Sequence, residues 1–192
     1  MRKVLFALFM LVAYAATSQD LNAEIGKEFN LYAGFLKSRD FDKVLNYTHP
    51  SLFESYPREQ VKQGLEQMFN NPQMQIQMGD PELSGFSPLK EIAGKFYVPF
   101  TNKQATKMRF EFIETQSGTD KENSVNTLKQ NLTTQFGEGT VSYDAQTGFF
   151  TINATSKMLA YSEDKKTWKF VDVGNAQFKP ILEKFIPAEF FN

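Results

Sequence analysis

The sequence contains no cysteine and a single histidine, His49, among its 192 residues. Without cysteine there is no disulfide framework, no zinc-thiolate site and no thiol nucleophile. One imidazole cannot build the multi-histidine sites of most zinc enzymes. No charge sign dominates: Lys and Arg number 21, Asp and Glu 22, for a net charge of -1. That balance lacks the basic excess of a nucleic-acid binder, and no nucleic-acid partner is expected. No Gly-rich phosphate loop, G-x-S-x-G elbow or H-E-x-x-H motif occurs, and no cofactor is expected. The hydrophobic content of 41% is too high for a disordered chain. Phenylalanine, with 20 copies, is what the chain has in plenty.

The first 18 residues read as a secretory signal. Arg2 and Lys3 form a positive start, and Val4 to Ala13 is an apolar run of ten. That run is too short for a membrane span of about 20 residues. Ala16-Thr17-Ser18 supplies small residues for cleavage before Gln19. The expected destination is the periplasm or the extracellular space, with no stable membrane insertion after cleavage. Removing residues 1–18, which carry two cations and no acid, leaves 174 residues and moves the net charge from -1 to -3. Residues 19–192 are one domain's worth of chain, and without disulfides only its apolar interior can hold it together.

Along that domain, Leu21, Ile25, Phe29, Tyr32 and Leu36 fall on one helical face and predict a helix over 21–38. Asp40 is placed to cap a short second helix carrying Phe41, Val44 and Leu45. His49-Pro50 breaks it, and Pro57 opens a third helix with Val61, Leu65, Met68 and Phe69 on its apolar face. The period then becomes two: Met74, Ile76 and Met78 alternate with Gln75, Gln77 and Gly79. Further strands are predicted near 92–101, through Met108, Phe110 and Phe112, near 140–144, over 149–161 and from Trp168 to Val173. Val125, Leu128, Leu132 and Phe136 restore a helical period, giving an inserted helix near 121–136 stopped by Gly137. Pro180 to Phe185 suggests a short last helix. Helices first and strands after argue for an α+β fold with a mostly antiparallel sheet.

The opening helix ending in Lys37-Ser38-Arg39-Asp40-Phe41-Asp42-Lys43-Val44-Leu45, then Thr48-His49-Pro50-Ser51-Leu52, and the closing Lys166-Thr167-Trp168-Lys169-Phe170-Val171-Asp172-Val173 resemble the NTF2-like superfamily, also described as cystatin-like, SnoaL-like or ketosteroid isomerase-like. The ending is similar to exported members from Bacteroidetes-type bacteria. The resemblance implies a curved sheet that wraps the N-terminal helices into a cone, with a pocket between its concave face and the first helix. It also implies a wide range of roles, since the scaffold serves isomerases, cyclases, epoxide hydrolases, binding modules and assembly domains. The helix near 121–136 departs from the simplest version of that plan.

Three functions follow as expectations. The first is a secreted, non-catalytic domain that binds a small apolar ligand or a partner protein. Tyr32, Tyr47, Phe110, Phe112, Trp168 and Phe170 would line its pocket. The second is a small isomerase or lyase. It needs a carboxylate base in an apolar pocket and a phenol or acid opposite. Asp172, on the strand face of Trp168 and Phe170, and His49 are the catalytic candidates; Glu111 would face away. The third is a module that forms a homodimer through its sheet. The aromatic residues also suit a solid core, which needs no ligand. No metal site is expected: Asp80, Glu82, Asp120, Glu122, Glu163 and Asp164 sit in turns without the spacing of a calcium loop.

Overall fold

The computed structural model describes residues 2–176 and 178–191, with side chains from Asp20 onward. The expected signal segment, 1–18, lies outside the residues whose side chains are described. The N-terminal part holds α1 (Arg2–Ser38), α2 (Phe41–Tyr47), α3 (Ser51–Ser55) and α4 (Arg58–Phe69). The strands β1 (Met74–Met78), β2 (Glu82–Ser84), β3 (Lys90–Ile92) and β4 (Lys95–Phe110) follow, then α5 (Glu111–Glu114) and α6 (Gly118–Phe136). The chain closes with β5 (Val141–Asp144), β6 (Phe149–Ser162), β7 (Lys169–Asp172), α7 (Lys179–Leu182) and a 3-10 turn, Ala188–Phe191. Among the described residues no helix is long and apolar enough to cross a membrane.

Local chemistry sets the helix boundaries. α1 ends where Arg39 takes a left-handed φ of 61°, and the Asp40 carboxylate then accepts the Lys43 N–H at 3.4 Å to cap α2. α6 ends at Gly137, whose φ of 103° suits glycine. α3 has no helical period in the sequence; Pro50 simply starts one turn after His49.

All strand pairs are antiparallel in one seven-stranded sheet. Its spine is β4 with β6, in register from Phe96↔Ser162 to Met108↔Phe150. β1, β2 and β3 share the other edge of β4, and β5 and β7 share the other edge of β6. The two hairpins flanking β6 use one device. Asp144 and Asp164, each in an Asp-x-x-Thr stretch, accept backbone N–H groups and the hydroxyl of Thr147 or Thr167.

Alternation along the spine sorts the core into layers. Val98, Phe100, Met158, Ala160 and Phe170 face Ile25 and Phe29 of α1. Farther along the same face, Phe150 and Ile152 meet Leu132 of α6 and Ile113. The opposite face is covered at one end by the C-terminal segment, where Tyr97, Leu159 and Tyr161 pack on Leu182, Ile186 and Phe190.

Several boundaries differ from expectation. The two strands expected near 92–101 and through Phe112 are joined in one 16-residue strand that stops at Phe110. Phe110 is the last residue with a partner on β1, Met74, so the ladder ends there. The chain coils into α5 and buries Ile113 instead of Phe112, which is left 47% exposed. The last helix spans only Lys179–Leu182, and Phe185 is exposed.

Candidate functional site

The six aromatic residues expected to line a pocket do not form one group. Tyr32, Tyr47, Trp168 and Phe170 join the cluster beneath α1. Phe110 belongs to the separate cluster at α6, and Phe112 is exposed on α5. Phe112 sits apart from the others because β4 ends at Phe110, before reaching it.

Beneath α1 the rings fill the space with each other. Phe29 meets Phe100 and Phe170 edge-on at 5.2 and 5.0 Å between centroids. Tyr32 lies 5.8 Å from Phe170, and Tyr47 stacks on it at 6.3 Å. These are the offset and T-shaped spacings of a packed aromatic core. Trp168 is 1% exposed, and its indole N–H has no partner among the described residues. The Tyr47 hydroxyl donates to Glu28 at 2.9 Å.

The two acid/base candidates lie on opposite faces of the sheet: His49 packs with Tyr161, and Asp172 lies on the face of Met158 and Phe170. His49 packs its ring on Tyr161, of the cluster under the C-terminal segment, at 4.4 Å. Its Nδ1 accepts the Ser51 N–H at 3.2 Å and lies 2.8 Å from the Ser51 hydroxyl, which leaves the proton on Nε2. Burial, then the nearby Lys95 and Lys169, lower its pKa to about 4 against the pull of Glu163. It is a neutral, packed side chain at pH 7. Asp172 shares a face with Phe170, opposite Met158 in the register. It is half-buried, and burial raises its pKa although the Gly174 N–H, the Ser156 hydroxyl and the Asn175 N–H hydrogen-bond it. Tyr32 is also raised, by burial first and then by the Asp172 charge.

Asp172 lies in a cleft of about 730 Å³ that the sequence did not suggest. Its cause is a gap in the sheet. On the free edge of β6, β5 pairs only with Phe149–Ile152 and β7 only with Met158–Tyr161. Bonds from Asn153 N–H to Thr140 O and from Val173 N–H to Lys157 O, both 2.9 Å, bracket the gap. Along residues 154–156, which pair with β4 on their other edge, this edge is left as a notch lined by Gln135, Ser156, Asp172 and Lys179, with Phe136 and Phe191 beside them. The signal in the sequence was Asn153-Ala154-Thr155-Ser156-Lys157, a polar run inside an otherwise apolar strand.

Of the carboxylates expected in turns, Glu82 lies instead in β2 and Asp120 and Glu122 in the first turns of α6; Asp80 pairs with Lys37 at 2.6 Å, and Asp164 holds its own turn. Among the described residues no group of three or more His, Asp or Glu side chains is placed to hold a metal ion. In comparisons with known proteins, no family model, curated protein or solved structure matches the chain.

Proposed function

We propose that this protein is an exported, non-catalytic binding domain built on an NTF2-like plan, which takes a small polar ligand, free or carried by a partner protein, in the notch between β5 and β7. The observation that carries this reading is where the accessible polar groups lie. The space beneath α1 is occupied by interlocking rings, whereas the notch presents a half-buried carboxylate, a hydroxyl and an amide together. A site of that kind recognises hydrogen-bonding groups rather than an apolar body. The helix-first order and the antiparallel sheet support the NTF2-like plan, and Arg2-Lys3 with the apolar run supports export. An acid/base role has less support, because Asp172 and His49 are not brought together.

The test is an amide-resolved NMR titration of the protein with a hexose, a free amino acid and decanoate. The expected result is movement of the Ser156 and Gly174 amides with a polar probe, and none at Phe29, Phe100 or Phe170 with decanoate. Decanoate shifts at those interior positions, or silence of the notch toward both polar probes, would overturn the reading.

A further inference from the structure

Resting on that reading of the notch, we infer that its ligand is a short peptide bound in extended form as one missing rung of the sheet. In an antiparallel strand a residue points its N–H and C=O to the same edge, and the edge alternates along the chain. Asn153 N–H and Lys157 C=O both point away from β4, toward β5 and β7. Thr155, midway between them, therefore aims its N–H and C=O into the notch. No described residue hydrogen-bonds either group.

One peptide residue offers the matching acceptor and donor, so it completes the rung, as added strands do at open sheet edges. The notch is also short. From Asn153 to Lys157 is about 13 Å at roughly 3.3 Å per residue, which admits two or three residues before β5 and β7 block the way. A small ligand or a chain end fits; a long strand does not.

Charge selects one end. The Asp172 carboxylate is suited to the peptide's ammonium group, and burial strengthens the exchange of its weak solvation for a charge-assisted hydrogen bond. Lys157 and Lys179 also line the cleft. Lys179 is itself paired with Glu183 at 3.7 Å, so the charge selection rests on Asp172 and the ammonium end of the peptide. Phe136, 39% exposed, offers an apolar surface at the rim.

The experiment is titration of the protein with Ala-Ala-Ala, followed at the Thr155 amide. The expected result is a hydrogen-bonding shift of that amide, with affinity reduced about tenfold by N-acetylation of the peptide or by Asp172→Asn, the ratio for one charge-assisted hydrogen bond. Thr155→Pro removes only the donor facing the notch, since that N–H takes no part in the β4 ladder, and should abolish the interaction. The peptide-side change keeps the test free of any folding defect. A Thr155 amide unmoved by the tripeptide overturns the inference, and equal binding of the acetylated peptide overturns the role of Asp172. If the hexose moves the notch and the tripeptide does not, the peptide inference fails while the polar binding site stands. If neither does, both fail.

Discussion

Phe170→Ala measures whether the space beneath α1 is a core or a ligand chamber. Phe170 is 2% exposed and touches Phe29, Tyr32, Tyr47 and Phe100. Removing a ring from a close-packed interior costs about 3–5 kcal/mol, the sum of lost transfer energy and a cavity that neighbours cannot fill. Two edge-on partners, Phe29 and Phe100, fix its position and place this site near the middle of that range, at about 4 kcal/mol. For a chain of this size that corresponds to a fall in Tm of about 8–16 °C. Urea unfolding is the assay. The midpoint should drop with an unchanged slope, because the surface exposed on unfolding hardly changes. The exposed Phe112 provides the control, with Phe112→Ala expected to change stability by less than about 0.5 kcal/mol. A loss below about 1.5 kcal/mol for Phe170→Ala would mean that the ring borders unfilled space, and the packed-core argument would fall.

Three further outcomes can be checked. His49 has a folded pKa of about 4, below its unfolded value of 6.5, so its contribution is fully present above pH 6.5 and is lost as pH falls toward 4, by about 3 kcal/mol at most. Stability measured between pH 4 and 7 should fall in that window, and His49→Asn should flatten the curve; an unchanged slope refutes the assignment. Asp172 is raised, the opposite sign, so its charged form disfavours folding above the carboxylate range. Asp172→Asn should leave stability at pH 7 equal or higher and lower the Tyr32 pKa in an ultraviolet titration, and a marked loss of stability would count against it. Asp164→Ala removes the acceptor of the Lys166 and Thr167 N–H groups, and thermal unfolding should show a lower midpoint.

The legible parts of the fold were those where one face is buried and the other is not. Ile25 and Phe29 of α1 and Leu132 of α6 carried their period in plain view and are core residues here, and the strand expected over 149–161 is β6. The junction at Phe110–Phe112 was not legible, because alternation continues in the sequence after the β1 partner strand has run out. Whether a strand persists depends on a neighbour that local pattern does not report. Asp172 was readable from its shared face with Trp168 and Phe170. The notch was hinted at only by the polar run Asn153–Lys157, since its position is set by the lengths of β5 and β7 relative to β6, which local pattern does not report. His49 illustrates the reverse case: the only imidazole invites a chemical role, and its surroundings hold it neutral and packed.

The C-terminal segment has a consequence for how this chain is made. Leu182, Ile186 and Phe190 are the cover of Tyr97, Leu159 and Tyr161, and Glu189 reaches back to Lys90 at 2.7 Å. The spine itself joins residues about fifty positions apart, the kind of pairing that forms late. Until residues 182–190 have been made, that side of the sheet has no lid. A chain stopped before Leu182 would expose Tyr97, Leu159 and Tyr161 together, a sticky, unfinished flank on an otherwise paired sheet.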